Sequence, residues 1–170
     1  IDPGDVPSNF TTFYYDSLEN EKKKRKDIKF NKEILHQSKL VNYFNGDFAK
    51  SKIEKDLNNF LKKIKKNKKY LLSKKDIILI ESMKSDGIEI SKKYKDLYKI
   101  NDAEMPTDIQ VMINNNDMGS ALLRIIEVVG QDDLDFLDED TLYFIISALN
   151  QLGIDHIRNK ILLKVLPLKV

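Results

Sequence analysis

A helix that is apolar on nearly every side most constrains how this chain can fold. Within residues 140–152, large apolar side chains spread over more than half of a helical wheel: Leu142, Phe144, Ile145, Ile146, Leu149 and Leu152. A helix of that kind lies at the centre of a packed layer, with other helices around it. No segment convincingly alternates apolar and polar residues as a half-buried strand does. The sequence therefore predicts an all-α fold of helical hairpins, stacked as a short solenoid-like array or as an irregular helical bundle.

Capping residues and glycines predict where the other helices begin and end. Residues 31–46 have apolar residues at near-helical spacing and end in Gly46, a residue type favoured just after a helix. Residues 73–87 begin with a Ser-x-x-Asp capping pattern and end at Gly87. Together with the remaining periodic segments, these signals predict helices over 11–27, 31–46, 47–66, 73–87, 91–99, 107–116, 117–130, 137–153 and 154–167.

The domain organisation follows from the first residues and from the charge. Residues 1–10 contain two prolines and a glycine, which predicts a loop or linker. Residues 11–170 are predicted to form a single helical domain, with a basic half over 11–100 and an acidic half over 101–170. Because the chain begins at Ile1 and not at methionine, we expect it to be part of a longer or processed chain.

Charge is distributed unevenly along a chain whose net charge is only +2. Residues 21–75 carry 19 basic and 6 acidic residues, whereas residues 101–170 carry 5 basic and 12 acidic residues. Such an asymmetry is typical of proteins with a nucleic-acid-facing or membrane-facing half, and it equally lets the two halves attract each other. Lysines outnumber arginines 26 to 3, a bias typical of AT-rich codon usage. Lysine content alone is therefore weak evidence about partners.

The stretch FLKKIKKNKKYLLSKK (60–75) is rich in lysine and contains no arginine. With Ile53 at zero on a helical wheel, the apolar residues up to Ile64 fall between about −20° and +80°, and the lysines between about 120° and 280°. This separation predicts an amphipathic helix with a solvated, lysine-covered back. The alternative is a surface that binds phosphate, for which the candidate residues are Lys62, Lys63, Lys65, Lys66, Lys68 and Lys69.

A faint internal period of 34 residues connects the last two helical pairs. A shift of 34 residues aligns Thr107 with Thr141, Val111 with Ile145, Met112 with Ile146, Asn116 with Asn150, Gly119 with Gly153, and Arg124 with Arg158. Thirty-four residues is the period of tetratricopeptide repeats, although most of their consensus aromatic, small and proline positions are missing here. An irregular bundle with similar loop lengths produces such matches by chance, so both architectures stay open.

Arg124 and Arg158 recur in register on the second helix of each pair. In a groove they are candidates to bind the carboxylates of a partner in a bidentate manner. The alternative is that each arginine extends to solvent beside the apolar face of its helix.

Residues 105–170 contain an apolar helix in ALLRIIEVVG, an acidic turn LDEDTL and a final hairpin ending in LKV. In these features they resemble the C-terminal end of long, helix-rich, uncharacterised proteins of alphaproteobacteria, and the rest of the chain looks like an AT-rich marine relative of the same helical array. Many such proteins are exported, so the resemblance implies a periplasmic location, with the cytoplasm as the alternative. It implies no catalytic residues.

Most familiar catalytic and metal-binding patterns do not occur in the sequence. The chain has no cysteine, and neither His36 nor His156 belongs to a metal-binding histidine pair. The acidic stretch DDLDFLDED (132–140) fails the EF-hand spacing, because its sixth and twelfth positions, counted from Asp133, hold Asp138 and Phe144. Asp138 or Asp140 is predicted to cap the following helix instead. We expect no cofactor and no metal, and we interpret both histidines as structural or surface residues.

These observations favour a non-enzymatic module that binds another protein or acts as a scaffold within a longer chain. The alternative is lysine-mediated binding of nucleic acid or of an anionic membrane surface through residues 21–75. The scarcity of arginine favours the first hypothesis, because phosphate recognition prefers the planar fork of arginine and lysine acts as a point charge.

Overall fold

The computed structural model describes residues 29–46, 49–98, 105–130 and 134–168. The predicted linker over 1–10 and the predicted helix over 11–27 lie outside these residues. Six α-helices occur in the described residues: α1 (Lys50–Lys66), α2 (Lys74–Ser85), α3 (Thr107–Asn114), α4 (Met118–Val129), α5 (Glu139–Leu152) and α6 (Asp155–Val165). Short 3₁₀ helices span Leu35–Gln37, Lys39–Asn45, Lys92–Leu97 and Leu134–Phe136. Within the described ranges the only extended pairing is an isolated bridge between Lys29 and Leu168, so the all-α prediction is confirmed.

Helices α2 and α5 form the centre of the molecule. They contact each other more extensively than any other pair of elements, and α5 also contacts α3 and α6. Helix α5 buries a broad face that includes Leu142, Ile145 and Leu149, and Tyr143 and Phe144 on its other sides are partly buried against the core. Helix α2 buries every residue from Asp76 to Ile80, which requires neighbours on more than one face.

The remaining elements surround this central pair. Helix α1 packs against the 3₁₀ helices Lys39–Asn45 and Lys92–Leu97, and it buries the predicted apolar stripe of Ile53, Leu57, Leu61 and Ile64. Helix α6 packs against α5 and against Lys39–Asn45. The α3–α4 hairpin contacts α5 through α3. Because α4 packs chiefly on α3, it lies at the edge of the assembly.

The prediction of an α-helix over 31–46 is wrong. Two 3₁₀ helices stand in its place, and they are separated by Ser38, whose backbone is extended (φ −81°, ψ 169°). The Ser38 hydroxyl donates to the carbonyl of Leu35 and accepts from the N–H of Leu40. Such local side-chain bonds offer the backbone an alternative to the helical pattern, which is why serine interrupts helices. The segment predicted as a helix over 91–99 is likewise a 3₁₀ helix.

The predicted helix caps are confirmed. The Ser73 hydroxyl accepts from the N–H of Asp76 while the Asp76 carboxylate accepts from the N–H of Ser73, which completes a capping box at the start of α2. Asp138 accepts from the N–H groups of Asp140 and Thr141 at the start of α5. Gly153 follows α5 with a φ of 67°, a left-handed conformation that favours glycine.

The two hairpins, α3–α4 and α5–α6, follow the predicted order of helices but not a 34-residue register. Gly119 lies inside α4, whereas its counterpart Gly153 ends α5. Arg124 is exposed, whereas its counterpart Arg158 is fully buried. Positions related by the 34-residue shift therefore occupy different environments.

Candidate functional site

The guanidinium of Arg158 is 0% exposed and is the centre of a dense cluster of hydrogen bonds. Its Nη2 donates to both carboxylate oxygens of Asp86 at 2.8 Å, and its Nη1 donates to Asn150 Oδ1 at 3.0 Å. Asn159 accepts from Nε and Nη2, and Asp155 lies 3.1 Å from Nη1. All five N–H groups of the arginine can therefore be satisfied inside the molecule.

The aromatic side chains of Tyr43 and Phe44 border this cluster. The guanidinium carbon of Arg158 lies 5.9 Å from the ring centroid of Phe44, within the range of a cation–π contact. Burial, together with the negative charge of Asp86, raises the pKa of Tyr43 to about 12. The cluster thus connects the end of α2, the helices α5 and α6, and the 3₁₀ helix Lys39–Asn45.

This burial corrects the sequence-based assignment of Arg158 as a partner-binding residue. The side chain neither reaches solvent nor has a donor left over, so it cannot hold the carboxylates of a partner without local unfolding. A signal was present in the sequence: Arg158, Leu162 and Leu166 are spaced four residues apart on one helical face, and all three are buried.

Arg124 lies on the surface of α4 and is held by acidic neighbours. Its Nε donates to Asp108 at 2.7 Å, and its Nη1 donates to Glu127 at 3.1 Å. The hydrogen bond from Arg124 lowers the pKa of the Asp108 carboxyl. Because these pairs are solvent-exposed and individually weak, Arg124 remains able to exchange partners.

All six candidate lysines of residues 60–75 are exposed, so the predicted lysine-covered back of α1 is confirmed. They do not converge on one point. Lys62 lines a groove beside α1, and the Nζ of Lys65 donates to the carbonyl of Lys93 at 2.9 Å. Lys68 and Lys69 belong to the turn after the helix.

Sequence reasoning missed a second buried polar cluster, centred on the Asp76 carboxylate. One oxygen accepts from the N–H of His36 at 2.9 Å and lies 2.7 Å from His36 Nδ1. The other accepts from the N–H of Ser73 and from the hydroxyl of Tyr70, both at 3.0 Å. Burial raises the pKa of the Asp76 carboxyl, but the hydrogen bonds from His36 and Ser73 outweigh burial and lower it overall. The capping pattern revealed Asp76; nothing local revealed its long-range partner His36.

The cluster does not have the geometry of a catalytic triad. The hydroxyl of Ser73 and the carboxylate of Asp76 both approach the same ring nitrogen, His36 Nδ1, at 3.4 Å and 2.7 Å. A triad needs them on opposite nitrogens, so that the imidazole can pass a proton between them. Buried and bonded to Asp76, His36 fits the structural alternative of the sequence-based interpretation as a structural or surface residue. Among the described residues no buried side-chain nitrogen or oxygen lacks a partner.

Exposed apolar side chains concentrate on the α3–α4 hairpin. Leu123 and Ile126 of α4 are 64% and 63% exposed, and Val111 of α3 and Met118 of α4 are about half exposed. We call these four residues the apolar hairpin surface. Gly119, Leu123 and Ile126 have the i, i+4, i+7 spacing of one helix face, whereas Ala121 and Ile125 of the same helix face the core.

Among the described residues, no group of three or more potential metal ligands occurs. No described helix is both long enough and apolar enough to cross a membrane. No family model, curated protein or solved structure matches this chain. The resemblance of residues 105–170 to alphaproteobacterial proteins therefore stays a prediction.

Replacing Arg158 with methionine is expected to lower the free energy of unfolding by about 3–5 kcal/mol, because Asp86 loses its counter-ion in a largely buried position. Replacing the exposed Arg124 with methionine is the matched control, with an expected cost below about 1 kcal/mol. Urea unfolding followed by far-UV circular dichroism measures both. Equal costs for the two variants would contradict the structural role of Arg158.

The Asp76 cluster predicts a specific acid sensitivity. Since the folded-state pKa of Asp76 is lowered, its ionised form contributes stability above the unfolded-state pKa of about 3.9, and that contribution is lost as the pH falls through the folded-state pKa. Asp76→Asn should be less stable than the wild type at pH 7 but should lose less stability between pH 5 and pH 2. Asp56→Asn, at an exposed position of α1, serves as the control in thermal melts. Parallel pH profiles for wild type and Asp76→Asn would show that the carboxylate contributes nothing.

Proposed function

We propose that this chain is a non-enzymatic protein–protein interaction module that recognises an amphipathic helix of its partner on the apolar hairpin surface. The observation that carries the proposal is the exposure of Leu123 and Ile126 on one face of an edge helix. Burying a large apolar side chain in a contact contributes about 1.5–3 kcal/mol, so two adjacent ones can anchor a helix.

The shape of α4 supports a helical partner. Nothing lies within 4 Å of where a side chain at Gly119 would begin, so the packing of this chain does not itself require glycine there. A residue without a side chain, in line with Leu123 and Ile126, lets the backbone of another helix approach closely.

The acidic residues near the apolar hairpin surface favour a partner whose helix is flanked by basic residues. Residues 105–130 carry three acidic residues, Asp108, Asp117 and Glu127, and one basic residue, Arg124. Two of these acids are bonded to Arg124 and can release it when a partner supplies lysine or arginine at the rim. Complementary rim charges speed association and set orientation, while the apolar centre supplies most of the affinity.

The wider architecture is compatible with a short solenoid-like array without a 34-residue register, in which hairpins α3–α4 and α5–α6 are neighbouring units. Their contact through α3 and α5 is the kind of contact by which such arrays extend. In that arrangement α4 is the exposed outer helix of its unit, so the proposed binding surface lies on the outer side of the array.

The proposal predicts that Leu123→Ser/Ile126→Ser abolishes capture of the partner from an extract of the source cells. Leu71→Ser/Phe136→Ser is the matched control, because it removes two apolar residues that are 87% and 84% exposed elsewhere on the surface. A photo-crosslinking residue at position 123 should label an amphipathic segment with basic flanks in the captured protein. Identical capture by the two double variants, or labelling of an acidic segment, would refute the proposal.

A further inference from the structure

A groove beside α1, in the basic half of the chain, has the properties of a second binding site. It lies between α1 and residues 89–94 and has a volume of about 730 Å³. Lys55 and Lys62 line one wall, Lys92 and Lys93 line the other, and Glu54 and Glu89 are the acidic residues of the lining. The concavity thus gathers lysines from two separate elements, which a lysine-rich composition alone does not explain.

Hydrogen bonds hold the two walls in place. Asn58 Nδ2 donates to the carbonyls of Glu54 and Glu89 at 2.8 Å and 3.0 Å, and Asn58 Oδ1 accepts from the N–H of Ser91 at 2.9 Å. The Glu54 carboxylate accepts from the N–H of Glu89 at 3.0 Å. Together with the bond from Lys65 to the carbonyl of Lys93, these contacts preform the groove, so a ligand does not have to order it.

The groove has unpaired positive charge. Lys55, Lys62 and Lys92 make no ion pair or hydrogen bond within the described ranges of the chain. The Glu54 carboxylate, in contrast, already accepts a hydrogen bond from the backbone N–H of Glu89 and lies 4.0 Å from the Nζ of Lys50. An anionic ligand therefore gains three lysine partners without breaking existing bonds.

The dimensions and the lining favour a peptide over a nucleic acid. The wall from Ser51 to Lys62 is about 16 Å long at 1.5 Å per residue, which matches about five residues of an extended peptide. Side chains of such a peptide alternate in direction, so its carboxylates can meet α1 on one side and residues 92–93 on the other. The only aromatic residue of the lining, Tyr94, is buried, and no arginine contributes, so neither base stacking nor forked phosphate recognition is available there.

We propose that this groove binds an extended acidic segment of a partner protein, with the carboxylates of that segment paired to Lys55 and Lys62 on one side and to Lys92 and Lys93 on the other. The proposal concerns a different surface from the apolar hairpin surface. The two can therefore fail independently.

The test measures the fluorescence anisotropy of a labelled hexaglutamate peptide with the full chain in about 50 mM salt. Wild type and Lys66→Gln/Lys68→Gln/Lys69→Gln should bind with affinities within about threefold of each other, while Lys55→Gln/Lys62→Gln/Lys92→Gln should bind about tenfold or more weakly. Both triple variants remove the same charge from exposed positions, so a general electrostatic effect would weaken them equally. Circular dichroism confirms that both stay folded.

Competition distinguishes the class of ligand. Unlabelled hexaglutamate should displace the probe at lower concentration than a thymidine dodecamer does, and hexaglutamine should not displace it. The proposal is overturned if hexaglutamate does not bind, if the two triple variants weaken binding equally, or if the oligonucleotide competes better than the peptide.

Discussion

The ion pair between Arg158 and Asp86 is the interaction on which the arrangement of the helices depends. Apolar packing is non-directional, so it brings α2, α5 and α6 together without fixing how far each slides along its neighbours. A fully buried guanidinium tolerates very few arrangements, because every lost hydrogen bond leaves a charge unsatisfied. With Asp86 after α2, Asn150 in α5 and Arg158 in α6, the cluster fixes three helices at one point.

The central helix α2 is anchored by an aspartate at each end. At its start, Asp76 benefits from the positive end of the helix dipole and binds the 3₁₀ helix Leu35–Gln37 through His36. After its last residue, Asp86 faces the negative end of that dipole, an unfavourable position that Arg158 offsets. These charged groups join α2 to the segments packed around it, and the proposed binding surfaces lie at the periphery, on α4 and beside α1.

Much of this fold could be predicted from the sequence because its signals are local. Each confirmed feature depends on residues within a few turns of one another. These features are the amphipathic pattern of α1, the apolar composition of α5, and the caps at Ser73 and Asp138. The prediction of an α-helix over 31–46 was wrong for a local reason as well. It relied on apolar spacing and gave too little weight to the helix-breaking behaviour of Ser38. The polar clusters were missed because their partners are far apart: His36 and Asp76 are separated by 40 residues, and Asp86 and Arg158 by 72.

The candidate sites likewise combine features that the local sequence predicts with features that only the tertiary structure shows. The exposed lysines follow from helical periodicity, but only the tertiary structure shows that Lys55, Lys62 and Lys92 share a groove while Lys68 and Lys69 do not. Leu123 and Ile126 appeared in the sequence as part of an ordinary apolar helix. Their exposure follows from the position of α4 at the edge of the assembly, which depends on how the hairpins pack.

The most direct test of this account is the hydrogen exchange of arginine Nε–H groups, measured by NMR on protein labelled with ¹⁵N. The chain has only three arginines, so the resonances of Arg25 and Arg124 can be assigned by replacing each with lysine, and that of Arg158 by elimination. The Nε–H of Arg158 should exchange far more slowly than that of the exposed Arg124, because its exchange requires the core to open. Equally fast exchange at Arg158 and Arg124 would show that Arg158 is not the buried centre of the fold.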